Sequence, residues 1–490
     1  MKQNREHDKI FVGGDLSGIQ KFLYNISSHK AAVSLKGRSD YLRQYMKEVC
    51  KSIEDAAMKA NASGIDEIYS SGGKFYFTAN NAEGVTKAIE VCAKGIKQAL
   101  WEEHRGLLGL SIAYTTYSEN PDGTVDIAGL PNCRPGILWE ITNRSFAKEK
   151  QQKFKDILQD SYEELFNPIA IGEKTKVCAV TGIESSDCIA IDNDGEEIHV
   201  LPSVKKQIEI GEKLCREQQT LTFSEYAGNS YLGVLRMDVD GLGKRFIEGF
   251  KSIFDYKVFS KRLVDFFETK IAEMRLEKEF KDYINVIYSG GDDLFVVGRW
   301  DKVIGFAEKI HNEVERNFKN DGISISGGMV AVKPKFPISK AAELSGEAED
   351  LAKNYNGGEK NAFCFLGITV SWKDEFSTVK SHQERFTTLI REHAMSKSIL
   401  HQTMLYASIA GHNKQLRSEG KTEDFSYIWH FSYYLTRFAK RHEKDRAIVD
   451  FCRELRNKDI SGNQGRNLEL LGLAARWAEL LVREETSINK

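Results

Sequence analysis

Proline and cysteine are scarce in this chain: 7 prolines and 8 cysteines in 490 residues. The cysteines stand at 50, 92, 133, 178, 188, 215, 364 and 452, with no CxxC pair. That scatter offers no disulfide framework. Structural zinc prefers paired, closely spaced ligands, and a ribbon around 175–215 has only Cys178, Cys188, His199 and Cys215 to recruit. Zinc is therefore doubtful, and ordinary thiols are expected. No run of about 18 uncharged apolar residues occurs, so no helical membrane span is expected. The start, Met1 to Lys9, lacks the apolar core of a signal peptide. Net charge is only -2, so any contact with nucleic acid must come from local basic patches. With 41% hydrophobic residues and a mean hydropathy of -0.42, the expectation is a soluble, cytoplasmic protein of roughly three or four domains with no membrane partner.

What is present is sharper. Residues Tyr288 to Phe295 read Y-S-G-G-D-D-L-F between apolar β-formers. The pattern predicts a β-hairpin with two adjacent acids, Asp292 and Asp293, at its tip. Upstream, the strand Tyr231–Met237 runs into Asp238-Val239-Asp240-Gly241-Leu242-Gly243. Hard divalent cations take carboxylate oxygens. Two of them about 4 Å apart can hold the attacking and leaving oxygens of an in-line phosphoryl displacement. Asp238, Asp292 and Asp293 are the candidate catalytic and metal-holding residues. Asp240 is a further candidate ligand on the same strand face.

The chain also repeats itself. Asp15-Leu16-Ser17-Gly18 after the strand Lys9–Val12 parallels Asp238-Val239-Asp240-Gly241. Tyr69 to Phe77 parallels Ile287 to Phe295, with Lys74 and Phe75 set against Asp292 and Asp293. Helices are expected over Tyr41–Ala60 and Lys257–Glu279 before the hairpins, then over 82–104 and 301–318. Closing strands are expected at Leu108–Tyr114 and Ile323–Val332. Each half reads β-α-ββ-α-β, the ferredoxin-like arrangement. The fold class is α+β: two ferredoxin-like domains (1–165 with a degenerate site, 226–374 with the acids), a small insert (166–225) and a C-terminal helical domain (375–490). The insert carries a turn at Asp192–Gly195 and a helix near Lys205–Gln218. The tail is proline-free after Pro337, with apolar residues such as Phe431, Leu435 and Phe438 at helical spacing.

The ordered set of motifs resembles the large polymerase/cyclase subunit of type III CRISPR effector complexes. The matching residues are Gly14–Gln20, Leu35–Ser39, Gly72–Phe75, Asp238–Gly243, Gly290–Asp293, Ile325–Gly328, Ala352-Lys353 and Lys360-Asn361. The resemblance implies two facing palms with two ATP molecules between them and Mg or Mn as the metal pair. It further implies synthesis of cyclic oligoadenylate second messengers when the complex meets target RNA. The implied partners are guide RNA and target RNA through the complex, and its small and backbone subunits. Many members begin with a metal-dependent HD nuclease domain. Here the first palm starts near residue 9, and His7-Asp8 reads as a tail, so no DNase activity is expected from this chain.

On that resemblance Lys353 and Lys360 are candidates to hold the triphosphate; the other reading is solvated charge. Gly241, Leu242 and Gly243 form either a backbone cradle for phosphate oxygens or a plain strand-to-helix link. Ser71 and Ser289, with Gly72, Gly73, Gly290 and Gly291, are candidates to meet a base edge, or are turn residues. The basic stretches Lys30–Arg38 and Lys148–Lys155 would meet RNA or subunits, or solubilise a helix face. Competing functions are adenylyl transfer from ATP to a small acceptor such as S-adenosylmethionine, a non-catalytic scaffold of the ribonucleoprotein, and a free-standing dinucleotide cyclase.

Overall fold

The computed structural model describes residues 8–26, 31–104, 106–160, 162, 176–182, 188–191, 195–460 and 465–488. The turn expected at 192–194, His7 and Lys30 lie outside them. Two six-stranded sheets carry the architecture. The first contains β1 (Lys9–Ser17), β2 (Ser63–Ser71), β3 (Lys74–Asn80), β4 (Gly109–Glu119), β5 (Val125–Ile127) and β6 (Leu130–Cys133), in the order β2-β3-β1-β4-β5-β6. A small ribbon pairs β7 (Ile189–Ile191) with β8 (Glu197–His199). The second sheet contains β9 (Leu232–Asp240), β10 (Ile284–Gly290), β11 (Asp293–Arg299), β12 (Ser324–Val332), β13 (Ala362–Phe365) and β14 (Ile368–Ser371), in the order β10-β11-β9-β12-β13-β14. In each sheet the first strand lies between the hairpin and the closing strand, as a ferredoxin-like half requires. The fold is α+β. No described helix is long and apolar enough to cross a membrane.

Buried apolar stripes fix the helices. In Ala31–Lys59 the residues Leu42, Met46, Val49, Ile53 and Ala57 are buried, the i, i+4 spacing of a core-facing stripe. In Trp300–Phe318, Val303, Ile304, Ala307, Ile310 and Val314 do the same. The helix expected at Lys257–Glu279 differs. It starts at Ile253 behind a Ser252/Asp255 capping box, makes one π turn at Phe266–Lys270, and stops at Arg275. Arg275 Nε then donates to Ile284 O at 3.1 Å, tying the end of the helix to β10.

One hydrophobic cluster spans the two halves, beside a separate core within the first. Trp139, from the first half, stacks on Tyr256 of the second with ring centroids 3.9 Å apart. The helix Pro202–Glu217 packs on Ala31–Lys59 through glycines: a Cβ on Gly37 would sit 1.8 Å from Gln207 O. The described C-terminal region consists of helices joined by short turns: Glu375–Glu392, Ser398–Ser418, Ser426–Arg441, Arg446–Glu454 and Arg466–Ile488, with a π turn at Leu455–Asp459. The last helix serves two cores. Leu468, Leu471 and Ala475 join the helical bundle, while Leu473 and Trp477 join the second sheet's core.

The basic segment read as a surface patch is largely internal. Residues 31–38 begin the helix Ala31–Lys59. Arg38 is 1% exposed, and its guanidinium donates to Gln207 Oε1, Phe22 O and Asn25 O. Lys36 Nζ donates to Val286 O at 2.8 Å, bridging to the second half. In the second basic stretch, Lys150 pairs with Asp15 at 2.7 Å.

Candidate active site

Strand register builds the acidic site. β11 pairs with β9 so that Asp293 lies opposite Asp238. β12 pairs with the other edge of β9, setting Ser326 opposite Asp238 and Ser324 opposite Asp240. Gly291 and Asp292 form the two-residue turn between β10 and β11, and Gly291 takes φ +71°. A positive φ at the first turn position is the natural hairpin geometry and falls to glycine. Val239 N–H donates to Asp292 O at 3.0 Å, locking the turn to the strand end.

The first hairpin shows the repeat in a different register from the one read in the sequence. Asp15 lies opposite Lys74, and Ser71 pairs with Lys74 across a Gly72-Gly73 turn. Both hairpins carry a bulge at the same place, before Tyr69 and before Tyr288. Lys74 therefore corresponds to Asp293 and Gly73 to Asp292, not Phe75 and Lys74. The two Gly-Gly pairs invite alignment with each other, but pairing and bulges set the structural match. The degenerate half thus replaces its facing acid with a cation and neutralises Asp15 with Lys150.

The acids are not equivalent. Asp240 is 4% exposed. Its Oδ2 accepts from Ser324 Oγ (2.8 Å), Ser326 Oγ (2.8 Å) and Asn361 N–H (3.0 Å). Those bonds make it a pin between β9, β12 and the start of β13. Asp238 is partly buried and bonds Lys353 Nζ through Oδ2 at 2.7 Å. Lys353 also reaches Glu349 Oε1 at 2.6 Å, and Glu349 Oε2 lies 3.4 Å from Arg236 Nε. Burial, then the negative charge of Asp292, pushes Asp238 up to about 7, with Lys353 pulling the other way. Burial pushes Asp293 up to about 6 against the pull of Arg236. Burial also works against the Lys353 ammonium, yet Asp238 and Glu349 outweigh it and raise its pKa.

These residues suit a hard divalent cation. The donors are all carboxylate oxygens, and Asp293 Oδ1 is buried with no hydrogen-bond partner. Burial raises the pKa of both Asp238 and Asp293, and a bound cation would favour their charged forms. Asp238, Asp292 and Asp293 nonetheless do not form a closed ligand cage. Among the described residues, the one trio of ligand atoms mutually within 4.8 Å is Cys50, Glu54 and Glu67. By the same measure Cys178, Cys188, His199 and Cys215 do not gather three ligand atoms.

The hairpin tips of the two halves meet head to head. A Cβ on Gly72 would lie 2.8 Å from Gly291 Cα, and one on Gly291 would lie 2.8 Å from Gly72 Cα. Gly291 N–H donates to Ser71 Oγ at 2.9 Å, and Ser71 Oγ donates to Glu268 Oε1 at 2.7 Å. Ser289 Oγ donates to Phe267 O at 2.6 Å. Both serine hydroxyls are thus engaged with protein, although both residues, with Gly72, Gly73 and Gly290, border a cleft closed by Arg43 and Glu268. An adjoining chamber of about 280 Å³ continues past Lys36 and Arg275. Gly241 takes φ +74° at the start of the helix Leu242–Glu248. Open space lies in front of Gly241 and Gly243, while Leu242 is buried. Lys360 lies on the loop before β13, with φ +60°.

Sequence reasoning missed Arg236, Glu349 and Glu268. Arg236 had a signal: a charge inside an apolar strand, two residues before Asp238 and so on its face. Glu349 stands one helical turn before Lys353. Glu268 sits in the π turn, which nothing in the sequence marks.

The family model "Cas10/Cmr2, second palm domain" matches residues 231–364, and "Csm1 subunit domain B" matches residues 9–168. A relative from Enterococcus italicus, named CRISPR system single-strand-specific deoxyribonuclease Cas10/Csm1 (subtype III-A), is 28% identical over 72% of this chain and 53% of its own length. Its namesake from Streptococcus thermophilus is 24% identical over 89% of this chain and 63% of its own. The chain therefore spans somewhat over half the length of these relatives. Among solved structures, a Csm1-Csm4 cassette in complex with pppApApA superposes with TM-score 0.69 at 17% identity, covering 97% of this chain and 70% of that one. A Csm1-Csm4 cassette in complex with cA4 gives TM-score 0.67 at 17% identity, covering 98% and 70%. Between them the two family models match residues 9–168 and 231–364, more than half of the chain, and the chain belongs to the Cas10/Csm1 family of type III CRISPR large subunits.

Proposed function

We propose that this chain is a nucleotidyltransferase that makes cyclic oligoadenylates from ATP within a type III effector complex. The observation that carries the reading is the β9–β11 register, which sets Asp293 opposite Asp238 with Asp292 at the adjoining turn. Structures of Csm1-Csm4 cassettes with one ATP, with cA3 and with cA4 support the product class. The Csm1-Csm4 subcomplex of the type III-A CRISPR-Csm interference complex supports a Csm4-like subunit as partner, and guide and target RNA are the further partners that the family resemblance implies.

In the reaction a ribose hydroxyl oxygen of one ATP bonds to the α-phosphorus of another and gives up its proton to solvent. The bond from that phosphorus to the β,γ-diphosphate breaks, and pyrophosphate leaves. Asp238, Asp292 and Asp293 would hold Mg or Mn, which screens the triphosphate and favours the attacking oxygen as its anion. Lys353 binds the triphosphate in exchange for its bond to Asp238, while Glu349 keeps its ammonium near the site. Lys360 approaches the phosphates from the loop before β13. Gly241 and Gly243 leave backbone room for phosphate oxygens beside β9. Arg43, Ser71 and Ser289 line the cleft for the base, and nucleotide entry exchanges the serine bonds for bonds to the base. Asp240 serves by holding β9, β12 and β13 together.

The test is Asp292→Asn combined with Asp293→Asn in the assembled complex, supplied with ATP and target RNA. Product should vanish while assembly and guide-RNA content stay intact. Continued synthesis would refute the assignment. Mass analysis with and without S-adenosylmethionine distinguishes a different acceptor from the ring product.

A further inference from the structure

The loop 354–361 joins the helix Ile338–Lys353 to β13 and so links the two candidate triphosphate lysines. Five of its eight residues have positive φ: Asn356 (51°), Gly357 (76°), Gly358 (95°), Lys360 (60°) and Asn361 (48°). Three of these are not glycine, and such residues persist there only where the surroundings hold them. The far end is held from the site itself. Asn361 N–H donates to Asp240 Oδ2, and its side-chain oxygen meets His311 Nε2 at 3.1 Å.

The near end is held from the C-terminal helices. Tyr355 O–H donates to Glu375 Oε2 at 2.8 Å. The same oxygen accepts from Ser371 N–H (2.9 Å) and Arg466 Nη2 (2.8 Å), while Glu375 Oε1 accepts from Arg466 Nε (2.8 Å). Arg466 also donates to Thr369 O on β14 at 2.6 Å and to Glu469 at 2.5 Å. Both partners of the fork are largely buried, at 16% and 17% side-chain exposure. A two-pronged Arg–carboxylate pair fixes orientation as well as distance. Arg466 opens the helix Arg466–Ile488, whose two faces lie in the bundle core and the second palm core. A shift of that helix therefore reaches Tyr355 through one rigid carboxylate.

We propose that Tyr355, Glu375 and Arg466 form a positioning relay by which the C-terminal helices hold the loop that follows Lys353 and bears Lys360 in register with the Asp238–Asp240 strand end. The relay acts through the lysines and touches no reacting atom. Its catalytic consequence rests on the nucleotidyltransferase reading above. Disconnecting it leaves the acids in place but loosens the grip on the triphosphate, which is ground-state binding.

Tyr355→Phe is the discriminating variant. It removes one O–H, keeps the ring beside the Arg466 guanidinium and leaves the Arg466–Glu375 fork intact. In the full chain without nucleotide, amide exchange across 354–361 should quicken about tenfold, the weight of one hydrogen bond to a charged acceptor. Exchange in β9 and in Ser426–Arg441 should stay unchanged. In the assembled complex the KM for ATP should rise about tenfold with kcat changed less than about twofold. Arg466→Lys, which cannot fork, should move both readouts the same way. Unchanged exchange in 354–361, equal quickening along the whole chain, or faster loop exchange with an unaltered KM would each overturn the relay. Wild-type synthesis is measured alongside: its absence would sink the nucleotidyltransferase reading, and the exchange comparison would still decide whether the relay holds the loop.

Discussion

Asp238→Asn should stabilise the cation-free protein, and only above mildly acid pH. The folded chain holds the Asp238 carboxyl up to about 7, whereas an unfolded aspartate titrates near about 3.9. The native state therefore binds this proton more tightly than the unfolded state does. Stability is full below about pH 4 and falls as pH climbs towards 7, because the unfolded chain releases the proton first. A shift of about three units at about 1.4 kcal/mol each sets a ceiling near 4 kcal/mol. The side chain is 23% exposed, and Asp292 relaxes with it, so about 2 kcal/mol is the working figure. The bond to Lys353 opposes this, but its pull is already contained in the upward shift. Asparagine keeps the shape and removes the charge. At pH 8 with chelator, the transition containing the second palm should rise by about 4–8 °C, and at pH 5 by much less. Calorimetry at both pH values reads it. Magnesium should stabilise the wild type at pH 8 and leave the variant nearly unmoved. Equal destabilisation of the variant at both pH values would refute the reasoning, because Asp238 would then be a stabilising ion-pair partner.

Gly72→Ala should cost about 1 kcal/mol for its left-handed backbone and drive its Cβ against Gly291 Cα; synthesis should fall about tenfold or more while circular dichroism is unaltered. Ser71→Ala strips partners from Gly291 N–H and Glu268, so hydrogen exchange at Gly291 should quicken, with about 1–2 kcal/mol lost from denaturant unfolding. Asp240→Ala breaks three bonds to one buried oxygen and should cost about 2–4 kcal/mol; a shift in urea midpoint below 0.5 kcal/mol equivalent, roughly the level of a neutral surface change, would show the pin to be idle.

Much of the fold was legible because the strands advertise themselves. The run Leu232–Met237 and the glycine-tipped hairpin at 290–293 are local signals, and sheet order followed from the repeated β-α-ββ-α-β rhythm. The one-residue slip between the two hairpins was not legible. Matching Gly72-Gly73 to Gly290-Gly291 satisfies the letters, whereas bulges before Tyr69 and Tyr288 decide the register. Burial of charge was also hidden: Lys36 and Arg38 look like a surface patch until Gly37 brings the helix Pro202–Glu217 against them. The acids proposed for the site stand out because two adjacent carboxylates at a turn are unusual in local sequence, and the strand register sets Asp293 opposite Asp238. Arg236, Glu349 and Glu268 depend on contacts between segments far apart in the chain. Of these, Arg236 alone broke a local pattern, and it was passed over.

The most direct test is a diffraction structure of the wild-type chain soaked with ATP and manganese, read at the manganese anomalous edge. The account predicts anomalous peaks held by Asp238 with Asp292 and Asp293, and the Lys353 ammonium moved from Asp238 onto the triphosphate. Manganese and nucleotide seated elsewhere, with the Lys353–Asp238 pair intact at full ATP occupancy, would contradict it.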